Sequence, residues 1–286
     1  MPAPAPLPVE FIRRHVAESL AEDLGASGDL TARYFLPQGV AGRAVLVARG
    51  AGVLAGMGMA EEVFRQVDPR VAFTARGVDG SDLQAGTVLA EVEGPVRGLV
   101  TAERTALNYL QHMSGIATLT RRFVDEVAGT GAAVLDTRKT TPGWRALEKY
   151  AVRCGGGTNH RMGLYDAVMV KDNHLACGLT GPGLQEAIRE VKARHPGVWV
   201  EMEADTIDQV ARFLELDGVE RILLDNMGLD DMRAAVAMAA GRVSLEASGG
   251  VNIRTVRAIA ETGVDFVSVG ALTHSAAVLD LAMDFV

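Results

Sequence analysis

The sequence predicts an α/β protein in two parts: a small unit that mixes helices and strands, and a larger unit built on a parallel sheet. Two observations carry this prediction. Before about residue 97, helix-like and strand-like segments follow each other without regular alternation, which is typical of a small α+β unit. After about residue 130, short strands rich in β-branched residues alternate strictly with helices, which indicates repeated βα units and a parallel sheet covered by helices.

The first part begins with a predicted helix over residues 9–24, because its apolar residues recur at four-residue intervals. These residues are Ile12, Val16, Leu20 and Leu24. Strand-like runs follow at 43–48 and 87–92, with a predicted helix at 58–67 between them. The first part is therefore expected to be small and mixed in its secondary structure.

A long helical stretch, about residues 98–127, joins the two parts, and Gly115 within it predicts a break. Six strands are predicted after this stretch, at 133–136, 167–170, 198–203, 221–224, 243–246 and 265–269. Six strands are too few for a regular eightfold barrel, so we expect an incomplete barrel, with a doubly wound open sheet as the alternative. No Gly-x-Gly-x-x-Gly follows the first strand, which counts against dinucleotide binding. Thr206 and Asn252 stand where helices need N-caps.

Composition argues against several classes of function. The net charge of -8, the pI of about 5.3 and the aromatic content of 5% argue against nucleic-acid binding, which needs basic faces and stacking rings. No apolar run approaches the roughly 20 residues of a membrane-spanning helix, and the first residues lack the pattern of a secretory signal. The two cysteines, Cys154 and Cys177, allow no disulfide framework and lack metal-ligand spacing, so a reduced, cytoplasmic setting is expected.

The segment from Asp136 to His174 concentrates positive charge in an otherwise acidic chain. Its basic residues are Arg138, Lys139, Arg145, Lys149, Arg153, Arg161 and Lys171, with His160 and His174 as further donors. Such a cluster predicts a pocket for a small ligand with several negative charges. Three of these residues recur at four-residue spacing and suit a solvated helix face equally well: Arg145, Lys149 and Arg153.

Polar residues and glycines follow the carboxyl ends of the predicted strands, which is the face of a βα barrel where ligands bind. They are Thr137, Arg138, Lys139, Lys171, Asp225, Ser248, Gly249, Gly250, Gly270 and Ala271. The run 248–250, followed by a predicted helix, suits a phosphate cradle, because glycines let backbone N–H groups approach the oxygen atoms. An ordinary tight turn is the alternative interpretation, and the second glycine site at Gly270 favours the cradle.

Carboxylates lie within or at the end of two predicted strands. Alternation along 198–203 puts Glu201 and Glu203 on one face, and a carboxylate buried in a parallel sheet needs a cationic partner. We therefore expect Glu201 or Glu203 to face a basic ligand site or the barrel interior. Asp225, at a strand end, suits Mg²⁺ or ribose hydroxyls, with capping of the next helix as its structural alternative.

Together these motifs resemble the quinolinate phosphoribosyltransferase family. The run DTRKTTPGWRALEKYAVRCGGGTNHRMGLYDAVMVKDNH lies between TAERTALNYLQHMSGIAT and EASGGVN, and EDLGASGDLT precedes them all in the family's order. The resemblance covers nearly the whole chain. It implies an N-terminal α/β sandwich domain at 1–110, whose first helix can pack on the barrel, and an incomplete α/β-barrel catalytic domain at 111–286, the type II phosphoribosyltransferase fold.

The resemblance also implies a reaction in which phosphoribosyl pyrophosphate and quinolinate give nicotinate mononucleotide, CO2 and pyrophosphate, in de novo NAD biosynthesis. Quinolinate, which has two adjacent carboxylates, would bind Arg138, Lys139, His160, Arg161 and Lys171, with Arg104 reaching in from the partner subunit of a homodimer or higher homo-oligomer. Phosphoribosyl pyrophosphate would bind Glu201, Asp225, Ser248, Gly249, Gly250, Gly270 and His274, and Thr137 and Ala271 would be further substrate-binding residues. Mg²⁺ would lie at Glu201 and Asp225, mostly through substrate and water. The implied catalytic residues are Lys139, Lys171, Glu201 and Asp225.

Two alternatives stay open. A related phosphoribosyltransferase that acts on nicotinate, or on the unknown acid of a molybdenum-associated relative, would need fewer cations than this segment supplies. A catalytically silent anion-binding protein on the same fold would be expected to lack the acids or the basic set, and none is lost. The paired acids of type I phosphoribosyltransferases are missing, because ILLDNMG holds a single acid.

Overall fold

The computed structural model of this chain describes residues 4–176, 178 and 181–286, so Cys177 lies outside the described residues. These residues form two compact units. The first contains the chain up to residue 121 together with 142–156 and 275–286, and the second contains 122–141 and 157–274. The predicted boundary between residues 110 and 111 lies inside a helix of the first unit, and it stays a prediction.

The helices of the described residues are α1 (Val9–Leu24), α2 (Leu30–Phe35), α3 (Met57–Val67), α4 (Val96–Glu126), α5 (Arg145–Cys154), α6 (Asp172–Ala176), α7 (Pro182–Arg194), α8 (Ile207–Phe213), α9 (Leu229–Ala239), α10 (Val256–Ala260) and α11 (Ala271–His274). The strands are β1 (Ala41–Ala48), β2 (Gly52–Val53), β3 (Ala72–Ala75), β4 (Asp82–Leu83), β5 (Val88–Pro95), β6 (Ala133–Leu135), β7 (Ala167–Val170), β8 (Trp199–Ala204), β9 (Arg221–Asp225), β10 (Ser244–Ser248), β11 (Phe266–Ser268) and β12 (Leu281–Phe285). Within the described chain, no helix combines the length and apolar character needed to cross a membrane.

The first unit is built on a four-stranded antiparallel sheet in the order β12-β1-β5-β3, with β2 and β4 forming a separate pair. The helices and strands predicted in this part are confirmed as α1, β1, α3 and β5. The pairing of β12 with β1, which sets Phe285 opposite Ala44, was not predicted. These two strands come from opposite ends of the chain, and no local pattern reveals such a pairing.

The long helix α4 continues through Gly115, so the predicted break there is wrong. Gly115 faces another segment of the first unit. A Cβ atom at this position would lie 2.1 Å from the carbonyl oxygen of Ala277. The glycine is therefore explained by close approach of two backbones, which helix propensity cannot show.

We expect Gly115→Ala to lower the free energy of unfolding by about 1–3 kcal/mol, because the new methyl group must displace the main chain at Ala277. Helix propensity alone predicts the opposite sign, since alanine is favoured over glycine by about 1 kcal/mol. Chemical denaturation distinguishes the two. Gly50→Ala is the matched control, because a Cβ atom there meets open space. A Gly115→Ala variant more stable than the wild type would contradict the packing explanation.

The second unit is an incomplete α/β barrel. Its six-stranded parallel sheet runs in the order β6-β11-β10-β9-β8-β7, which confirms all six predicted strands. The two edge strands, β6 and β7, form no ladder with each other in the part of the chain that the structure describes. Thr206 caps α8 in a capping box with Gln209, as predicted. The N-cap predicted at Asn252 is wrong, because α10 begins later and its N-cap is Thr255.

The central strands β8, β9 and β10 bury an apolar face and carry charged residues on the other. The apolar residues are Val200, Met202, Ile222, Leu224, Leu245 and Ala247. The charged residues are Glu201, Glu203, Arg221 and Glu246. Register places Glu201 beside Arg221, whereas Glu203 and Glu246 flank Leu223 one layer nearer the carboxyl ends. The charged face therefore has two layers at different depths.

Candidate active site

A cavity of about 430 Å³ lies in the second unit at the carboxyl ends of its strands. Its lining consists of Thr137, Arg138, Lys139, His160, Arg161, Met169, Lys171, Glu203, Leu223, Asp225, Glu246, Ser248 and Ser268. The predicted site residues that it brings together are Thr137, Arg138, Lys139, His160, Arg161, Lys171, Asp225 and Ser248. The predicted residues outside this lining are Arg104, Glu201, Gly249, Gly250, Gly270, Ala271 and His274.

The basic wall of the cavity is assembled by Asp136, which is fully buried at the end of β6. One carboxylate oxygen accepts a hydrogen bond from the backbone amide of His160 at 2.8 Å, and the other accepts from the side chain of Asn159 at 2.5 Å. Asp136 therefore ties the loop 158–161 to β6, directly before residues 137–139. This contact explains why cations distant in sequence line one cavity.

Arg161 is a buried cation, with 8% of the residue exposed. Its guanidinium donates to the carbonyl oxygen of Ala167 at 3.1 Å and lies 3.6 Å from Sδ of Met169. Both of these acceptors are neutral. Burial, and after it the charge of Arg138, lowers the pKa of Arg161. Arg161 and Arg138 are neighbouring cations, and their charges favour a negatively charged partner. They therefore form a site for an anionic ligand.

Acidic residues form a second wall, on β8 and β9. Glu203 is buried and pairs with Nζ of Lys171, while Asp225 accepts a hydrogen bond from the side chain of Asn226 at 2.8 Å. Asn226 adopts a left-handed conformation with φ of 54°, which asparagine tolerates, and its backbone amide donates to the carbonyl oxygen of Ser248. The cavity thus carries positive charge on one side and negative charge on the other.

Glu201 is fully buried and lies behind the cavity lining. Its Oε2 atom is 3.2 Å from Nε2 of His160, and Oε2 of Glu246 is 3.3 Å from the same nitrogen. These glutamates belong to β8 and β10, which a flat sheet would hold about 10 Å apart. Their convergence on one nitrogen fits the curvature of a barrel. Of the two carboxylates that alternation placed on one face, Glu203 is the one that lines the cavity.

His160, Glu201, Glu246 and Arg221 form a buried cluster, and two of its members, His160 and Glu246, also line the cavity. Nη1 of Arg221 lies 2.8 Å from Glu246, and its guanidinium carbon lies 4.7 Å and 4.0 Å from the ring centroids of Trp199 and Phe266, respectively. Burial raises the pKa of the Glu201 carboxyl to about 7. Burial lowers the pKa of His160, but the two carboxylates outweigh it and raise this pKa to about 9.

The buried cluster also has the spacing of a metal site, since one ligand atom each from His160, Glu201 and Glu246 lies within 4.8 Å of the others. The guanidinium of Arg221 at Glu246 opposes a further cation there. Asp225 is better placed for a cation, because its carboxylate is partly exposed at the cavity wall. The predicted Mg²⁺ site requires Glu201 and Asp225 to lie together at the cavity wall. Asp225 lines the cavity and Glu201 does not, so the structure does not place this pair there.

The glycines after β10 and β11 are explained in part by packing. A Cβ atom at Gly249 would lie 2.1 Å from Oδ1 of Asn226, and one at Gly270 would lie 3.0 Å from Cδ of Lys139. The helix expected directly after Gly250 begins only at Val256 and has five residues, so it brings no helix N-terminus to this loop. Ligand roles at this end of the cavity stay predictions, for Ser248, Gly249, Gly250, Gly270, Ala271 and His274.

Besides Glu203, which was the alternative to Glu201, four lining residues were not predicted: Met169, Leu223, Glu246 and Ser268. Glu246 and Ser268 are polar residues inside otherwise apolar strands, and this signal could have found them. Met169 and Leu223 carry no such signal, because an apolar residue in a strand is ordinary core.

The remaining predicted cations lie in the first unit. Arg145, Lys149 and Arg153 belong to α5 and do not line the cavity. Lys149 is only 1% exposed, so the interpretation as a solvated helix face is wrong for that residue. Arg104 lies on α4 with its side chain exposed.

Known proteins resemble this chain in sequence and in fold. The family models named quinolinate phosphoribosyl transferase, N-terminal domain and C-terminal domain, match residues 29–114 and 116–284. Nicotinate-nucleotide pyrophosphorylase (carboxylating) of Mycobacterium leprae is 44% identical over 95% of this chain and 96% of its own length. Quinolinate phosphoribosyltransferase (decarboxylating) 2, mitochondrial, of Nicotiana glauca is 40% identical over 93% of this chain and 79% of its own length. The structure of nicotinate-nucleotide pyrophosphorylase from Francisella tularensis superposes with a TM-score of 0.91, at 38% identity and 98% coverage of both chains.

Proposed function

This chain belongs to the quinolinate phosphoribosyltransferase family, and we propose that its cavity joins quinolinate to phosphoribosyl pyrophosphate. The products are nicotinate mononucleotide, pyrophosphate and CO2, in a step of NAD biosynthesis. The observation that carries the proposal is the buried Arg161 beside Arg138, in a wall that also holds Lys139 and Lys171. Quinolinate has two adjacent carboxylates, and arginine can grip a carboxylate through two parallel hydrogen bonds. A monoacid would leave part of this charge uncompensated.

The basic wall binds quinolinate, and the acidic wall acts on the ribose. The ring nitrogen of quinolinate attacks C1 of the ribose as pyrophosphate leaves, and positive charge develops on the sugar. The electron pair of the bond to the 2-carboxylate then passes into the alkylated ring, CO2 departs, and C2 takes up a proton. Lys139 or Lys171 is suited to supply that proton. Positioning and electrostatics carry the catalysis, and no covalent nucleophile is needed.

We assign to Glu203 the role that the sequence placed on Glu201. Glu203 lines the cavity, whereas Glu201 is fully buried against His160. Together with Asp225 on the neighbouring strand, Glu203 supplies negative charge where the ribose becomes cationic. Its contact with Lys171 also links the acidic wall to the basic wall.

Mg²⁺ is the proposed cofactor, held by Asp225 together with substrate oxygens and water. This ion keeps several waters and binds one or two carboxylates plus substrate phosphates, which fits a partly exposed carboxylate at the cavity wall. When bound, it offsets the charge of the leaving pyrophosphate. Glu201, the second predicted ligand, does not fit because it is fully buried.

The test of this function is the release of CO2 and pyrophosphate from quinolinate and phosphoribosyl pyrophosphate in the presence of Mg²⁺. We expect both products in equal amounts. Nicotinate in place of quinolinate is the control, and it should release little pyrophosphate. Release of pyrophosphate from nicotinate alone would favour the related monoacid enzyme. A folded protein that binds quinolinate and releases neither product would be the silent anion-binding alternative.

We further propose that the protein is a cytoplasmic homodimer with shared active sites. Arg104 is an exposed cation on α4, and in the family pattern this arginine reaches the quinolinate of the neighbouring subunit. Two-fold symmetry then gives two equivalent sites, each completed by the partner. The free thiol of Cys154, which is buried, suits a reducing compartment.

Subunit mixing should restore activity between two inactive variants, Arg104→Ala and Lys171→Ala. A mixed dimer has one site with both defects and one site with neither, so random exchange should return about a quarter of wild-type activity. The assay is CO2 release after exchange, with each variant exchanged against itself as the control. If mass spectrometry shows mixed dimers and the mixture stays inactive, Arg104 serves its own subunit.

A further inference from the structure

Both ring nitrogens of His160 lie against groups of the protein. Nδ1 accepts a hydrogen bond from the backbone amide of Arg161 at 2.7 Å. Nε2 faces the carboxylates of Glu201 and Glu246 at 3.2 Å and 3.3 Å. The side chain is 4% exposed, although the residue borders the cavity. These contacts direct the polar atoms of the ring toward the protein.

The contact at Nδ1 also decides where the proton of the buried cluster lies. The same proton can lie in two places. Either His160 is an imidazolium beside two carboxylates, or His160 is neutral and one of the two glutamates is a carboxylic acid. An imidazolium carries a hydrogen on Nδ1 and cannot accept one from the Arg161 amide. The contact opposes the imidazolium that the two carboxylates favour, and we take it to select the neutral ring with its hydrogen on Nε2. Glu201 is the carboxyl suited to the other proton, because burial raises its pKa.

We propose that His160 is a positioning residue, which orients the main chain of Arg161 through Nδ1, and not a ligand of the diacid. The proposal rests on the proposed function, because it assigns quinolinate to Arg161. Asp136 fixes the amide of His160, and His160 in turn fixes the amide of Arg161. Two consecutive hydrogen bonds thus connect Asp136, directly after β6, to the main chain of Arg161. Nε2 lies close to the buried carboxylates of Glu201 and Glu246, without hydrogen-bond geometry to either of them.

Two substitutions separate the roles of the ring nitrogens. In His160→Asn the side-chain oxygen can take the place of Nδ1 and still accept the Arg161 amide. In His160→Gln the amide group reaches the place of Nε2 and can still donate to Glu201 or Glu246. Calorimetry should show that His160→Gln binds quinolinate about tenfold more weakly than His160→Asn, because it loses the acceptor that orients Arg161.

Stability should follow the opposite order. His160→Asn removes the nitrogen that lies 3.2 Å and 3.3 Å from the carboxylates of Glu201 and Glu246, whereas His160→Gln keeps an N–H group near them, so His160→Asn should melt at a lower temperature than His160→Gln. A merely structural role predicts that affinity and stability fall together in both variants. Equal affinities, or stronger quinolinate binding by His160→Gln, would overturn the proposal. Absence of binding by the wild type would instead overturn the proposed function.

The proton position can be measured without any ligand. In protein with ¹⁵N-labelled histidine, the signal of His160 is the one missing from both variants. We expect one ring nitrogen with a hydrogen and one without, and the hydrogen-bearing nitrogen should be Nε2. Two protonated ring nitrogens, or a hydrogen on Nδ1, would contradict the hydrogen bond to the Arg161 amide and would sink the proposal even if quinolinate is the substrate.

Discussion

Arg161→Ala is expected to remove most of the affinity for quinolinate while leaving that for phosphoribosyl pyrophosphate nearly unchanged. Arg161 is buried beside Arg138, and its two hydrogen-bond acceptors in the protein are neutral. Loss of one partner of a buried charged pair typically costs about 2–5 kcal/mol. Calorimetric titration of each substrate separately measures the difference.

Two further variants sharpen this result. Arg161→Lys keeps the charge but loses the planar fork, so its affinity should lie between those of the wild type and Arg161→Ala. Arg189→Ala, on the exposed surface of α7 in the same unit, should bind both substrates normally. Near-normal quinolinate affinity in Arg161→Ala would show that the diacid binds elsewhere.

Glu203→Gln is expected to lower turnover on the order of 100-fold, which is the usual effect of losing one preorganised electrostatic contact. Its charge is needed most when the ribose becomes cationic, so turnover should fall more than the affinity for phosphoribosyl pyrophosphate. Steady-state kinetics with both substrates distinguish the two. An unchanged turnover with a raised Michaelis constant would assign Glu203 to ground-state binding.

Glu201→Gln is the matched comparison for Glu203→Gln, because the two glutamates share one face of β8. Glu201 is fully buried, and its raised pKa means that a neutral amide is a closer replacement there than at Glu203. Its turnover should therefore fall less than that of Glu203→Gln. The reverse order would return the catalytic role to Glu201, as the sequence first indicated.

Local patterns predicted the second unit well. Alternation of short strands and helices yielded all six strands of the parallel sheet. The position of Arg138, Lys139, Lys171 and Asp225 after strand ends placed them on one face, because parallel strands end at the same edge. A period of two or 3.6 residues is a local property, so it is visible in the sequence.

The sequence did not show how deep Glu201 and Glu203 lie within the sheet. Alternation shows that Glu201 and Glu203 share a face, but it does not show which of them reaches the cavity. That depends on the register with β9, where Glu201 lies beside Arg221 and Glu203 lies one layer higher beside Leu223. Glu246 comes from a third strand, and its approach to His160 depends on the curvature of the sheet.

The sequence by itself determined the class of the protein, the six strands of the parallel sheet, and most of the cations that line the cavity. These follow from periodicity, composition and motif order, which need no long-range contact. Only the tertiary structure decided that Glu203 and not Glu201 lines the cavity, that Gly115 serves a backbone contact, and that His160 faces buried carboxylates. Each of these depends on atoms brought together from distant segments, because packing and not propensity sets their distances.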